Sequence, residues 1–298
     1  MMLTLKNINK TFNQTKAVQA MDLEIASGSV FGLLGPNGAG KSTTIRMIMD
    51  IIKPDEGEIL LDNHPLKKTD YHKIGYLPEE RGLYQKNKLK ETIVYFAELK
   101  GLSVHEARHR AETYLKRFDL EEYADRKIQE LSKGNQQKVQ FIISIISDPK
   151  LVILDEPFSG LDPVNQILLK DIINEINEKG ATVIFSTHQM EQVEKMCDDI
   201  CLINKGRIVL HGNLKNIKAN YGLRTVTVDY SGEKDLLQNL QTVKVMELDE
   251  KQLYGELLEK VSINEVLKEL ISLVSVTGFR INEPSLEQIF IEQVKKTE

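Results

Sequence analysis

Cysteine is scarce in this chain, which has two cysteines among 298 residues. A disulfide-stabilised secreted fold is therefore excluded, and we interpret Cys197 and Cys201 as reduced, partly buried thiols. No apolar run approaches the roughly 18 residues of a membrane-spanning helix; the longest run is "FIISII". The start "MMLTLKNINK" also lacks the apolar stretch of a signal peptide. We therefore expect a cytoplasmic protein that reaches a membrane only through a partner.

An excess of basic residues is absent too. The chain carries 39 Lys and Arg against 44 Asp and Glu, a formal net charge of -5. The excess of acidic residues lies entirely from Tyr221 onward, where the chain has nine basic and fourteen acidic residues. The part of the chain before Tyr221 therefore has no net charge. A neutral body with an acidic tail argues against nucleic acid or anionic lipid as the main binding partner.

Short apolar runs indicate the fold of the N-terminal part. They are "SVFGLLG" (Ser29–Gly35), "LVILDE" (Leu151–Glu156) and "TVIFSTH" (Thr182–His188). Such runs predict strands of a mostly parallel sheet that is buried on both faces. Alternating segments such as "GEILLDN" predict a sheet with one solvated face, and "CLINKGRIVLHG" predicts a hairpin.

Two changes of pattern divide the chain further. Residues from about 88 to 149 have a helical pattern and are expected to form an insertion in the α/β domain. After Tyr221, "RTVTVDY" alternates like a strand, and two helices with capping boxes are predicted to follow, at Ser262–Glu265 and Ser285–Gln288. We predict an α/β domain over 1–220, with a helical subdomain at about 88–149, and a small α+β domain over 221–298.

The stretch "GPNGAGKST" matches the pattern G-x-x-x-x-G-K-[ST] and lies between a predicted strand and the helical "TTIRMIMDII". Its glycines let the backbone wrap a triphosphate with the N–H groups facing inward. Lys41 is predicted to reach the β- and γ-phosphates, and Ser42 to offer its hydroxyl to Mg²⁺. The residues of this loop that are predicted to bind ATP are Gly35, Pro36, Asn37, Gly38, Ala39, Gly40, Lys41, Ser42 and Thr43.

Polar residues end the other two buried strands. Asp155 is predicted to hold Mg²⁺ through water, and Glu156 to accept a proton from the attacking water or to orient it. His188 ends the run "TVIFSTH". It is predicted to contact the γ-phosphate or polarise the water, and the alternative is an ordinary histidine at a strand end.

A second helix start has a composition that helix propensity does not favour. In "LSKGNQQKV" (Leu131–Val139), Ser132 suits an N-cap, but a glycine follows it. Glycine costs about 1 kcal/mol against alanine inside a helix. Unshielded backbone N–H groups at a helix start suit a phosphate. The stretch therefore predicts a second phosphate-binding helix start in one chain.

These motifs, and their order along the chain, resemble those of the ATP-binding subunits of ABC transporters. The resemblance covers the chain from Met1 to about Tyr221. The glycine-rich loop resembles their Walker A motif, "LVILDE" their Walker B motif, "SGLD" with Asp162 their D-loop, and His188 their switch histidine. The resemblance implies a P-loop NTPase fold of the ABC ATPase type, with a mostly parallel core sheet, an antiparallel β subdomain and an inserted helical subdomain. It also implies that Phe12 stacks on adenine, the alternative being a core or edge aromatic.

"LSKGNQ" corresponds to the signature of that family, usually LSGGQ, in which two cassettes pair head to tail. The resemblance implies that Ser132, Lys133, Gly134 and Asn135 contact the ATP of a partner subunit. Lys133 replaces a glycine and Asn135 a glutamine, so the effect on hydrolysis stays open. In "IGYLPEERGLY", Glu79 stands where a glutamine is usual, and its carboxylate is predicted to bind Mg²⁺.

The resemblance implies an ATPase with ATP and Mg²⁺ as cofactors, at the cytoplasmic face of the membrane and peripheral through a permease. Its expected partners are a second copy or a related cassette and a separate integral membrane permease; no nucleic acid is expected. Glu79 and the tail "EPSLEQIF" are similar to ABC-2-type exporter cassettes, including sodium- and antibiotic-efflux types. Export is therefore implied, whereas the transported substrate is expected to be chosen by the membrane partner.

Two alternatives remain at this point. A soluble cassette ATPase of DNA maintenance or translation usually has long coiled coils or two cassettes in one chain, and the helical stretch here is too short for a coiled-coil arm. A nucleotide-binding regulator without a transport role is disfavoured because Lys41, Asp155, Glu156 and His188 are all present.

Overall fold

The computed structural model describes residues 2–80, 82–221, 225–258, 261–282 and 284–297. Contacts divide the chain into two compact units, Met1–Leu214 and Lys215–Glu298. Within the described ranges, no helix is both long and apolar enough to cross a membrane.

The N-terminal unit alternates strands and helices along the chain. Its strands are β1 (Leu3–Phe12), β2 (Thr15–Ile25), β3 (Val30–Leu34), β4 (Glu56–Leu61), β5 (His64–Pro65), β6 (Ile74–Leu77), β7 (Leu151–Asp155), β8 (Thr182–Thr187), β9 (Asp199–Asn204) and β10 (Arg207–Asn213). Its helices are α1 (Lys41–Ile48), α2 (Leu89–Leu99), α3 (Val104–Arg117), α4 (Lys133–Ile145), α5 (Pro163–Glu178) and α6 (Met190–Met196), and α7 (Leu214–Asn220) follows at the boundary. Short 3₁₀ helices span Lys68–Lys73, Glu121–Tyr123 and Ile128–Glu130.

The core sheet has the strand order β10-β9-β3-β8-β7-β6. Its neighbours pair in parallel from β9 to β6, and β10 is an antiparallel edge strand. Every residue of β3, β7 and β8 is buried, as expected for a parallel sheet covered on both faces. The β9–β10 hairpin turns at Lys205 and Gly206, both with positive φ, which matches the right-handed twist of the two strands.

A second sheet, with the order β2-β1-β4-β5, is antiparallel throughout. One buried apolar cluster joins it to α1 and to the core sheet, and Leu3, Met21, Ile45, Leu33 and Ile153 belong to this cluster. The helix that follows the glycine-rich loop is therefore held on both sides by sheet residues. That packing determines where the N-terminus of α1 lies.

Helices α2, α3 and α4 lie between β6 and β7, as predicted for the inserted helical segment. Helix α4 begins at an exposed N-cap, Ser132, and its later turns are buried around Val139, Phe141 and Ile142. The rings of Phe118 and Phe141 are 6.0 Å apart between centroids.

The C-terminal unit is a small α+β structure. It contains β11 (Thr225–Ser231), a 3₁₀ helix (Lys234–Leu237), β12 (Val243–Leu248), β13 (Gln252–Leu257), α8 (Ile263–Leu273), β14 (Ser275–Asn282) and α9 (Leu286–Thr297). The sheet is antiparallel with the order β12-β13-β11-β14, and its core includes Val226, Val228, Leu253 and Leu270. Both predicted capping boxes are formed, at Ser262 and at Ser285.

The expected order of strands followed by two helices is wrong in one respect. Strand β14 lies between α8 and α9 and pairs with β11, for example Phe279 with Val228. Its sequence alternates weakly and contains Gly278, so it has no strong local strand signal. Strands gain most of their stability from a partner, and this partner lies about fifty residues earlier in the chain.

Candidate functional site

The carboxyl ends of neighbouring parallel strands meet at one edge of the core sheet. Asp155 ends β7 and pairs in register with Ser186 of β8, while Glu156 and His188 directly follow these two strands. Glu79 lies two residues beyond the end of β6. Ligands of open α/β sheets bind outside this edge. The cleft found there is lined by Ala17, Asn37, Gly38, Ala39, Gly40, Lys41, Ser42, Thr43, Glu79 and Glu156.

At two positions of the loop after β3, another segment of backbone comes so close that only glycine fits. Gly35 has φ +150°, and a methyl group there would lie 2.2 Å from the carbonyl oxygen of Ile203. Gly40 has φ +111°, and a methyl group there would lie 2.5 Å from the carbonyl oxygen of Ala17. The loop therefore packs tightly on both neighbours. Its shape leaves the N-terminus of α1 directed into the cleft, where N–H groups can bind phosphate.

Lys41 is buried at the base of this cleft, with 6% of its surface exposed. Its Nζ donates hydrogen bonds to the carbonyl oxygens of Gly35, at 2.7 Å, and Pro36, at 3.2 Å. Burial lowers the pKa of Lys41, and the acidic side chains of the cleft act in the opposite direction. An ammonium group held among acidic residues is suited to binding the negative charge of a phosphate.

Ser42 lies next to two carboxylates. Its Oγ is 3.4 Å from Oε2 of Glu79 and 3.5 Å from Oδ1 of Asp155. The hydroxyl of Ser186 also donates to Oδ1 of Asp155. Burial raises the pKa of Asp155, and the hydrogen bonds from Ser186 and Ser42 oppose that shift.

These oxygens fit a hard divalent cation, which prefers carboxylate and hydroxyl ligands. Across the described residues, no group of three or more His, Cys, Asp or Glu side chains is arranged to hold a metal ion by itself. Mg²⁺ at this place would therefore need phosphate oxygens and water to complete its coordination, as in other nucleotide sites.

Glu156 and His188 form a pair at the mouth of the cleft. Nδ1 and the backbone nitrogen of His188 lie 2.8 and 3.1 Å from Oε1 of Glu156, and the hydroxyl of Thr187 donates to Oε2 at 3.2 Å. Glu156 has φ +50°, in the left-handed region that is unfavourable for a residue with a side chain. The carboxylate is thus held in one orientation, next to an imidazole that is half exposed. Such a pair can orient and polarise a water molecule.

The first turn of α4 is open to solvent. Ser132 and Lys133 are exposed, and Oγ of Ser132 accepts a hydrogen bond from the backbone nitrogen of Asn135 at 3.2 Å. Accepting this bond leaves the hydroxyl of Ser132 able to donate its hydrogen to another group. A methyl group at Gly134 would lie 3.4 Å from the carbonyl oxygen of Gly160, which is an ordinary contact distance. The packing of the unit itself therefore does not require a glycine at position 134.

Comparison with known proteins identifies the family. The family described as "ABC transporter" matches residues 18–159. Residues 212–294 match the family "ATP-binding protein DrrA1-3-like, C-terminal domain". The uncharacterized ABC transporter ATP-binding protein YhaQ of Bacillus subtilis (strain 168) is 42% identical over 98% of both chains. This chain belongs to the ABC transporter ATP-binding proteins.

Two further similarities concern function. The linearmycin resistance ATP-binding protein LnrL of Bacillus subtilis (strain 168) is 32% identical and covers 99% of both chains. A solved dimer of an ATP-binding cassette in a post-hydrolysis state, bound to ADP and phosphate, is 28% identical, with a TM-score of 0.66 over 71% of this chain and 98% of the other. The present chain is the ATP-binding subunit of an ABC transporter and an ATPase.

Phe12 and Asp162, which the sequence linked to the ABC ATPase site, lie outside the cleft lining. Phe12 ends β1, is 44% exposed, and has the ammonium group of Lys10 5.4 Å from its ring centroid. It is therefore not a core aromatic. Asp162 caps α5, and its Oδ1 accepts from the backbone nitrogen of Asn165 at 3.0 Å. These contacts leave the roles of Phe12 and Asp162 as predictions.

Ser186 and Thr187 were not recognised from the sequence, although each touches an acidic residue of the ABC ATPase cleft. Ser186 bonds Asp155, and Thr187 bonds Glu156. The sequence signal that could have indicated them is the dipeptide Ser-Thr at the carboxyl end of β8. The neighbouring strand, β7, ends at the aspartate of the dipeptide Asp-Glu. Using it requires the knowledge that β7 and β8 are neighbours in register, which local sequence does not contain.

Proposed function

We propose that this ABC ATPase drives export through a separate integral membrane permease, as a head-to-tail pair with a second copy or a related cassette. In that pair each cleft holds one ATP with Mg²⁺, and the first turn of α4 from the partner closes it. Hydrolysis removes the γ-phosphate contact and allows the two subunits to part. The pair works at the cytoplasmic face of the membrane and is attached there through the permease.

The exposed start of α4 carries this proposal. Gly134 lowers helix stability, and no contact with the described residues of its unit requires a glycine there. The N–H at Gly134, which has no side chain of its own to cover it, the exposed Ser132 hydroxyl and the positive end of the helix together form the proposed anion site. An outward site for phosphate is explained by a nucleotide bound to another subunit. A solved cassette of similar fold is dimeric in its post-hydrolysis state, which supports pairing of two subunits.

Within one cleft, the residues have separate roles in the proposed reaction. The backbone of the loop 35–43 wraps the phosphates, and Lys41 binds the β- and γ-phosphates as a point charge. Glu156 accepts a proton from the attacking water, and His188 polarises that water or contacts the γ-phosphate. Phe12 stacks on adenine, which its exposure permits.

Ser42, Glu79 and Asp155 are the proposed Mg²⁺ contacts. The ion supplies neutralisation of phosphate charge, and these side chains position it through direct or water-mediated bonds. The proximity of Glu79 and Asp155 to Oγ of Ser42 supports this set. A carboxylate at position 79 adds negative charge beside the phosphates, so ATP binding should depend on the metal more strongly than with an amide there.

Support for export comes from the relatives. LnrL, which is similar over the whole chain, is named for linearmycin resistance, and residues 212–294 match a DrrA-like domain. Removing a toxic compound from the cell is an export reaction. Copurification of the chain with its membrane partner, followed by transport assays in vesicles of both orientations, tests the direction. Uptake into right-side-out vesicles that needs ATP enclosed inside them, at the cytoplasmic face, would contradict export.

Replacing Gly134 by alanine is expected to lower ATPase activity by about tenfold, because the added methyl group shields the N–H that meets the phosphate. The melting temperature should stay the same or rise, since alanine favours the helix. Steady-state phosphate release and thermal unfolding measure the two effects. Full activity of Gly134→Ala would show that the start of α4 contacts no nucleotide.

Replacing Glu79 by glutamine is expected to raise the Mg²⁺ concentration for half-maximal ATPase activity by roughly tenfold, because one anionic oxygen near the ion is lost. Binding of metal-free ATP should become tighter, since less negative charge faces the phosphates. Mg²⁺ titrations of activity and nucleotide titrations in EDTA measure both. The control is Glu58→Gln, which removes an exposed carboxylate of β4 and should change neither value. An unchanged Mg²⁺ requirement would remove Glu79 from the metal site.

A further inference from the structure

Two glutamines are buried on one face of α4, the helix that begins at Ser132. Gln137 is 4% exposed and Gln140 is 5% exposed. Residues three apart on a helix are neighbours on its surface, so both side chains leave α4 in a similar direction. Long polar side chains are seldom buried without a partner that needs them.

Each glutamine reaches the backbone next to an acidic residue of the cleft. Nε2 of Gln137 donates to the carbonyl oxygen of Pro157 at 3.2 Å, and Pro157 directly follows Glu156. Nε2 of Gln140 lies 3.5 Å from the carbonyl oxygen of Glu80, which directly follows Glu79. One helix therefore contacts the segments that carry both the proposed general base and a proposed Mg²⁺ contact.

Packing alone does not account for Gln140. Its Oε1 is buried, and no described residue donates a hydrogen bond to it. A buried carbonyl oxygen without a donor is unfavourable, and methionine would fill a similar volume without that penalty. A glutamine at this position is accounted for if its amide acts on the Glu79–Glu80 segment, the backbone that its Nε2 approaches. A buried polar group that disfavours folding is often found at a functional site.

We propose that Gln137 and Gln140 are positioning residues that couple the first turn of α4 to the acidic residues of the same subunit. The inference rests on the proposed head-to-tail pairing, in which that first turn meets the ATP of the partner. Engagement of the partner's nucleotide then sets the positions of Glu156 and Glu79 in the subunit's own cleft. Hydrolysis in one cleft thereby depends on nucleotide in the other.

Helix α4 is suited to transmit such a signal. Ser132 and Gln140 lie about 12 Å apart along the helix axis, since each residue rises 1.5 Å. The body between and beyond them is rigid, with Val139, Phe141 and Ile142 fully buried. A displacement of the first turn therefore moves the two glutamines with it. Catalysis is sensitive to small displacements of the groups that orient the nucleophile.

Gln140→Met in the full chain tests the proposal. We expect kcat to fall by roughly tenfold, because the variant loses one hydrogen bond that positions a catalytic group. The KM for ATP should be unchanged, because the phosphate loop and Lys41 are untouched. The Hill coefficient for ATP, expected above one in the unmodified chain, should fall towards one. The melting temperature should be unchanged or higher, because the unpaired oxygen is gone.

Ser144→Ala is the matched control. Ser144 is also a buried polar residue of α4, and its hydroxyl donates to the carbonyl oxygen of Phe141 in the same helix. Its removal should leave kcat, KM and the Hill coefficient unchanged. Gln137→Met is a second variant that should lower kcat in the same way, so the proposal stays testable if Gln140→Met does not fold.

The outcomes separate this coupling from the pairing itself. If Gln140→Met and Gln137→Met keep the kcat and Hill coefficient of the unmodified chain, while Glu156→Gln still dimerises with ATP, only the coupling is overturned. If both variants lose activity only in proportion to a loss of folded protein, the coupling is also overturned, since both glutamines would then be structural. If Glu156→Gln stays monomeric, the pairing fails and the coupling fails with it.

Discussion

Glu156→Gln is expected to slow ATP hydrolysis by about 10²–10⁴-fold, the usual contribution of a general base, while ATP binding is retained. The amide cannot accept a proton from water, but it keeps the size and most contacts of the carboxylate. Its oxygen can still accept from the backbone nitrogen of His188, and its NH₂ group can donate to the hydroxyl of Thr187. The nucleotide should therefore stay in the cleft and hold two subunits together.

Gel filtration with ATP and Mg²⁺, beside single-turnover phosphate release, measures this prediction. The variant should elute as a dimer with ATP and as a monomer with ADP. Glu178→Gln is the control, because Glu178 is an exposed residue at the end of α5, near the opposite edge of the sheet. It should keep the rate of the unmodified chain. A Glu156→Gln protein that remains monomeric with ATP, with and without its membrane partner, would contradict the paired mechanism.

Lys41→Met is expected to abolish measurable ATP binding under conditions that saturate the unmodified chain. Hydrogen bonds to charged groups contribute about 1.5–3 kcal/mol each, and this ammonium group is predicted to bind two phosphates. Affinity should therefore fall by about 10²-fold or more. Stability of the free protein should not fall, because a buried cation with a lowered pKa is replaced by an apolar side chain of similar length.

The melting temperature with increasing ATP is the direct measurement, since a ligand that binds only the folded state raises it. The unmodified chain should show a rise, and Lys41→Met should show none. Lys100→Met is the matched control. The Nζ of Lys100 also donates to two carbonyl oxygens, those of Tyr71 and Ile74. Its replacement should leave the ATP-induced rise intact; an ATP-induced rise in Lys41→Met would remove Lys41 from phosphate binding.

Much of the cleft was predictable because its parts are local. The loop 35–43 combines glycines, a lysine and a serine within nine residues, between a strand and a helix. Buried parallel strands are continuously apolar, so polar residues at their carboxyl ends, such as Asp155 and His188, are conspicuous. The rule that these ends share one edge of a sheet then predicts that the residues meet.

Other contacts were not predictable because they join residues that are distant in the sequence. Ser186 contacts Asp155 only because β7 and β8 are neighbouring strands that pair in this register. Gln140 reaches Glu80 across sixty positions, and its burial depends on how α4 packs. Strand β14 depends in the same way on its pairing with β11.

The sequence by itself determined the chemistry of this protein: a phosphate loop, acidic strand ends and a second helix start that suits an anion. Those features are encoded by short patterns, because backbone conformation and side-chain type are local properties. Only the tertiary structure decided which hydroxyls hold the acidic residues, and that the helix beginning at Ser132 also contacts the segments after Glu79 and Glu156. Such contacts result from close packing of elements distant in sequence, which no local pattern specifies.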